Sequence, residues 1–175
     1  MGVAGAGKST VAALLGERLR WSYAEADDLH PRANIDKMAA GVPLDDEDRE
    51  PWLRAVRDWL SLQPSHTVVA CSALRRSYRD ILREASGRVR FVHLSGEPHL
   101  VAQRVEGREG HFWPAGLLPS QYHTLEPLAA DEDGVTVDIN APPSRIVQQV
   151  VDWLSASPND VNGRSEPTSG PAEQP

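Results

Sequence analysis

Gly2-Val3-Ala4-Gly5-Ala6-Gly7-Lys8-Ser9-Thr10 opens the chain with residue types suited to holding phosphate. The run fits the pattern G-x-x-x-x-G-K-[ST]. Glycines let a backbone turn tightly and gather several N–H groups at one point. A helix starting there adds the positive end of its dipole. Lys8 supplies a mobile charge that reaches β- and γ-phosphates, and Ser9 supplies a hydroxyl for Mg²⁺. Of 18 basic residues only two are lysines, Lys8 and Lys37. A chain that otherwise uses arginine keeps a compact point charge where this loop wants one. The bland alternative is a glycine-rich turn before a helix.

A phosphate loop says nucleotide binding without saying which reaction. No N-K-x-D stretch is present, which argues against a guanine reader. The apolar run 67–71 is followed by Ser72 and not by an aspartate, so an acid near Mg²⁺ has to come from elsewhere. Glu25 and Asp27 are the candidates, read as sharing one face at the end of a strand. Asp27 also suits the job of orienting a substrate hydroxyl and taking its proton during in-line phosphoryl transfer. The bland reading leaves both acids solvated. Arg75, Arg76, Arg79 and Arg83 follow the run 67–71, and Arg104 and Arg108 share a helix face. Guanidinium groups so placed grip carboxylates or phosphates, or else line a solvated face. An arginine on a lid neutralises charge on a transferring phosphoryl group. His30 and His111 sit in turns without metal-ligand spacing and suit hydrogen bonds to a polyol or carboxylate, or plain packing. Trp52 and Trp59 read as core; Trp113 stands in a lid-like stretch.

The elements that must position these groups alternate. Helical spacing marks 8–20, a short piece around 34–40, a helix from the acidic turn 44–49 through Leu62, and others at 78–85, 98–108 and 144–154. Strands are expected at 21–27, 67–71, 89–94 and 135–139. Residues 110–130 read as irregular, with a lid at about 105–130. Alternation of this kind predicts an α/β fold with a parallel sheet, helices on both faces and a site at the strands' carboxyl ends. Residues 1–154 form one expected domain, and 155–175, rich in Pro, Ser, Gly and Glu, an expected disordered tail. A phosphate loop usually follows a buried strand of about five or six residues, yet only Met1 precedes Gly2. The expectation is therefore that the innermost strand is truncated, that the natural start lies upstream, and that the chain as written is weakened. Net charge is −7, which argues against general nucleic-acid or anionic-membrane binding. No 18-residue apolar run occurs, and the expected location is cytoplasmic. The single cysteine, Cys71, excludes an internal disulfide.

Longer stretches carry a resemblance. Asp27-Asp28-Leu29-His30-Pro31 runs on through Asn34-Ile35-Asp36-Lys37-Met38 to Gly41-Val42-Pro43-Leu44. Asp48-Arg49-Glu50-Pro51-Trp52-Leu53, Cys71-Ser72-Ala73-Leu74-Arg75-Arg76-Ser77-Tyr78-Arg79-Asp80, Gly110-His111-Phe112, Ser120-Gln121-Tyr122 and Leu125-Glu126-Pro127 follow. Taken jointly over 2–154, with the loop, these resemble the bacterial-type gluconokinases. The resemblance implies ATP-dependent phosphorylation of D-gluconate at its 6-hydroxyl, Mg²⁺ as cofactor, and a homodimer. It implies a shikimate-kinase-like P-loop fold with five parallel strands ordered 2-3-1-4-5. Gly2 to Thr10 fall on its ATP-phosphate loop, Ser9 and Glu25 on its metal side, and Lys8 and Asp27 on its catalytic groups. His30, Arg49, Arg75, Arg79 and His111 fall in substrate-side motifs. Arg104 and Arg108 fall on lid arginines, and Asn140 to Pro142 on the loop bordering adenine. Glu25-Ala26-Asp27 replaces the family's usual Asp-Gly-Asp, and Arg75 replaces a common lysine. Two rivals stay open: a kinase of another small hydroxy acid such as shikimate, and a nucleotide-binding protein that no longer catalyses.

Overall fold

The computed structural model of the chain describes residues 1–106 and 118–156. The expected lid residues Arg108, His111 and Trp113, and nearly all of the expected tail, lie outside the described residues.

Among the described residues, twelve elements follow the turn of the loop. They are α1 (Lys8–Leu19), β1 (Ser22–Glu25), a 3-10 turn (Ala26–Leu29), α2 (Arg32–Ala39), α3 (Asp46–Ser61) and β2 (Thr67–Ala70). Then come α4 (Arg76–Arg83), β3 (Phe91–Ser95), α5 (Pro98–Glu106), α6 (Leu118–Thr124), β4 (Gly134–Asp138) and α7 (Pro143–Ala156). Local chemistry sets several ends. Asp45 caps α3 by accepting from the Asp48 amide at 2.9 Å, and Asp48 accepts in return from the Asp45 amide at 2.9 Å. That reciprocal box satisfies two amide donors at the helix start. Trp52, Leu53 and Val56 recur on one face of α3 and are buried there.

Strand β1 pairs in parallel with β2, and β3 pairs in parallel with β4. The two pairs are joined at a single row. The Met1 ammonium donates to Val92 O, Leu94 N donates to Met1 O at 2.9 Å, and Gly2 N donates to Ser72 O at 3.1 Å. Met1 and Gly2 thus stand between β2 and β3, and the loop that follows hangs from both pairs. Side chains alternate across β3. Leu94 joins the apolar cluster of α1, α5 and α7, with Val11, Leu15, Val101, Ile146 and Val150. Phe91 joins the cluster of α3 and α4 on the opposite face, with Trp52, Leu53, Val56, Tyr78 and Leu82. Two helix layers therefore clamp the strands from both sides.

Two expectations are corrected. Strand β1 stops at Glu25, so Asp27 stands on the 3-10 turn and does not share a strand face with Glu25. Within the stretch read as irregular, Leu118–Thr124 is helical. Leu118, Tyr122 and Leu125 pack on the core at helical spacing, a pattern too short to stand out beside Pro119 and the polar residues around it.

Candidate active site

The loop forms one wall of a cavity at the carboxyl ends of β1 and β2. Ala4, Gly5, Lys8 and Ser9 line it, with Ser72 below. Gly5 has φ +80°, and a Cβ placed there would stand 2.5 Å from Val105 Cγ2. Only glycine lets the loop lie this close to α5 in that conformation. Gly7, at φ +92°, precedes α1 as its N-cap. The first turn of α1 carries no acid and no side-chain cap, either of which would compete with an anion for its amides. Lys8 Nζ donates to Val3 O at 3.0 Å, curling the side chain over its own loop. Ala4 N donates to Gln121 Oε1 at 2.6 Å, which ties the loop to α6.

The facing wall carries the acids. The end of β1 brings Glu25 into the cavity, and the 3-10 turn brings Asp27. Partial desolvation pushes the Asp27 carboxyl pKa upward, with help from Glu25 and Asp28, while the Lys8 charge opposes the shift; the side chain itself stays open to the cavity, 67% exposed. A carboxylate raised in this way is a better proton acceptor. The Tyr23 hydroxyl donates to Glu25 Oε1. Desolvation, and then that bond, push the Tyr23 pKa to about 12. Tyr23 therefore braces Glu25, a role nothing in its sequence context signalled.

His30 stacks on Trp52, with ring centroids 4.2 Å apart and planes 14° apart. Trp52 is held in turn by Nε1 donating to Ala26 O at 2.8 Å. Read from sequence as core, Trp52 is core and also the floor under His30. Burial, and then the Arg49 charge, lower the His30 pKa to about 4, so the ring is neutral near pH 7. Arg49 lines the cavity, lies 5.7 Å from the Tyr78 ring centroid and donates to Tyr78 Oη at 3.4 Å. Tyr78 Oη donates onward to Asp46.

The remaining expected residues separate. Arg75 sits at the start of α4 and pairs with Asp46, one step outside the cavity lining. Arg79 is corrected as a substrate-side residue. Its side chain is 0% exposed and forks onto Glu132, with Nε to Oε2 and Nη2 to Oε1 both at 2.6 Å. Its Nη1 donates to the carbonyls of Ala73, Leu74 and Glu126 at 3.1–3.2 Å. Every guanidinium hydrogen has a protein acceptor, which leaves none for a ligand. Glu132 was missed because its partner lies 53 residues away in sequence. Arg104 donates to Ile139 O at 2.8 Å, beside the turn where Asn140 N donates to Asp138 Oδ1 at 2.8 Å. Pro142 O accepts from Arg145 N at 2.9 Å, just ahead of α7. Arg104, Asn140 and Pro142 therefore gather at one edge, away from Asp27. Among the described residues, no group of three or more His, Cys, Asp or Glu side chains is arranged to hold a metal alone.

A glycine-rich loop opening a helix at parallel strand ends, with a carboxylate facing it across a cavity, defines a P-loop kinase. Residues 4–155 match the shikimate kinase family. A gluconokinase of Gluconobacter oxydans (strain 621H) is 46% identical over 159 residues, covering 89% of each chain. The crystal structure of a gluconokinase from Sinorhizobium meliloti 1021 superposes with a TM-score of 0.82 at 44% identity, covering 89% of both chains. That of a sugar kinase from Janibacter sp. HTCC2649 gives 0.86 at 43% identity, covering 90% of this chain and 93% of the other. The chain belongs to the gluconokinases, within the shikimate-kinase-like group of P-loop kinases.

Proposed function

We propose that this enzyme transfers the γ-phosphoryl group of ATP to the 6-hydroxyl of D-gluconate, giving 6-phospho-D-gluconate and ADP. The observation that carries the reading is Asp27, standing with Lys8 in one cavity across from the loop, in a chain 46% identical to a gluconokinase.

In the proposed reaction the loop Gly2–Thr10 cradles the triphosphate tail, and Arg104, Asn140 and Pro142 border the adenine. Asp27 orients the hydroxyl and accepts its proton. A bond forms between that oxygen and the γ-phosphorus, the bridge to the β-phosphate breaks, and ADP leaves. Little covalent chemistry is asked of the protein, so rate comes from positioning and charge. Lys8 steadies the phosphoryl oxygens, and Arg104 and Arg108 are proposed to join it from the lid side. The gluconate carboxylate is assigned to the end of the cavity where Arg49 sits, with Arg75 next along; His30 and His111 are assigned to its hydroxyls. Mg²⁺ prefers oxygen ligands and keeps waters and phosphates among them. Ser9 and Glu25 offer oxygen ligands that fit it, and the ion when bound would neutralise phosphate charge.

We also propose that Met1 and Gly2 mark the row of the first of five strands, ordered 2-3-1-4-5, where β1 to β4 are strands 2, 3, 4 and 5 in that count. The parallel pairs and the bonds to Val92, Leu94 and Ser72 support this order. A homodimer and a cytoplasmic location complete the reading. Among the described residues no helix is long and apolar enough to cross a membrane.

The test is ADP release in a coupled assay with gluconate, other aldonates and shikimate. Gluconate is expected to give the highest kcat/KM. Preference for shikimate would favour the rival acceptor, and ATP binding without sugar-acid-dependent ADP would favour the non-catalytic rival.

A further inference from the structure

Asn34 is 4% exposed on α2, and its placement bears on His30. The amide Nδ2 lies 2.8 Å from Asp48 O. A backbone carbonyl only accepts, so the atom facing it is the nitrogen and not the oxygen of the side chain. The same Nδ2 lies 3.3 Å from His30 Nδ1. One amide hydrogen goes to each. His30 Nδ1 must then present its lone pair, and the neutral ring carries its proton on Nε2. A ring protonated on Nδ1 would set N–H against N–H in a closed space. The stack on Trp52 holds the plane of the ring, and the Asn34 contact selects which edge faces α2.

We infer that Asn34 is a positioning residue that fixes His30 as the Nε2–H tautomer, so that His30 and Asp27 together read one substrate hydroxyl. Nε2 stands 3.9 Å from Asp27 Oδ1. That is too long for a hydrogen bond between them, yet a single oxygen can lie within reach of both. Such an oxygen accepts from Nε2–H and donates its own hydrogen to the carboxylate. His30 therefore never competes for the hydroxyl proton, and Asp27 is left as its acceptor. The α2 residue thus decides which way the hydroxyl points. The hydroxyl part rests on the sugar-acid reading above; the tautomer does not.

The experiment is ¹⁵N imidazole NMR on the full chain near pH 7, with His30 assigned by the loss of its signals in His30→Gln. The wild-type ring is expected as Nε2–H. Asn34→Asp replaces the donor by an acceptor and is expected to move the proton to Nδ1, with gluconate kcat lowered about tenfold or more and the KM for ATP unchanged. Asn34→Ala is expected to give a mixture of tautomers and decides the cause if Asn34→Asp does not fold. A wild-type ring found as Nδ1–H, or a tautomer unchanged in the folded variants, overturns the inference. Because the NMR needs no substrate, a wrong tautomer overturns it even with gluconate turnover intact. Absent gluconate turnover with Nε2–H in place overturns the hydroxyl assignment alone.

Discussion

Asp27 and Arg79 were both expected at the substrate, and the structure separates them by what surrounds each. Asp27 lines the cavity with a carboxyl pKa raised by its walls, beside a lysine that tempers the rise. Asn in its place keeps the shape and loses the proton acceptor. Asp27→Asn is expected to lower kcat between about a hundredfold and ten-thousandfold, with ATP affinity retained, measured by steady-state kinetics and by calorimetric titration of ATP. Arg79 is enclosed, and its partner Glu132 is held below the usual carboxylate range by that guanidinium. Removing one member strips a buried charge of its main counterion, leaving Glu132 only Arg83 at 3.4 Å when Arg79 is the one removed. Arg79→Ala or Glu132→Gln is expected to cost about 3–5 kcal/mol in urea unfolding. Arg79→Met with Glu132→Leu together is expected to cost less than either alone, since no orphan charge remains. Equal losses in the single and double variants would contradict the enclosed-pair reading. That Asp27 would come to line the cavity was legible from sequence, because the motif around it is local. Arg79 was not, because its fate depends on Glu132 arriving from a distant turn.

The loop was legible as an element, since a phosphate cradle is written in consecutive residues with fixed types. What the sequence could not show is how tightly α5 covers it. Gly5 stands where a Cβ would meet Val105 at 2.5 Å, in a left-handed conformation. Gly5→Ala is expected to weaken ATP binding about tenfold, roughly 1.4 kcal/mol, as the loop shifts to relieve strain; ATP titration of the purified variant checks this, and wild-type affinity would contradict it. The 3-10 turn after β1 was also hidden. Glu25-Ala26-Asp27 reads as a strand continuing into acid, but Ala26 is fully buried and its carbonyl accepts from Trp52. That tertiary bond bends the chain and delivers Asp27 and His30 to the same cavity. Helix α6 escaped notice for a related reason: its apolar positions Leu118 and Tyr122 are packed by core residues distant in sequence.

At the scale of the whole molecule, alternation of strands and helices was enough to foresee a parallel α/β fold clamped by helices on both faces. The joining of its two strand pairs through Met1 and Gly2 was hidden, because the Met1–Val92 bond spans 91 positions of sequence. Two histidines couple that fold to pH. Burial lowers the pKa of His30 and of His93 to about 4 each. His93 is 3% exposed in β3, with neither ring nitrogen bonded to a protein partner. In the unfolded chain such groups titrate near 6.5. Between those values the unfolded state binds more protons, so stability is complete above about pH 6.5 and falls as the pH drops toward 4. His93→Leu is expected to flatten that fall in urea unfolding followed from pH 7 to pH 4; a slope unchanged from wild type would contradict the assignment. In the proposed reaction the cradle and Asp27 together move a phosphoryl group onto a terminal sugar-acid hydroxyl. Phosphorus NMR of the product made from ATP and D-gluconate tests it most directly. One new phosphomonoester is expected, whose phosphorus couples to the protons on carbon 6. No gluconate-dependent ester, or an ester on another carbon, would contradict it.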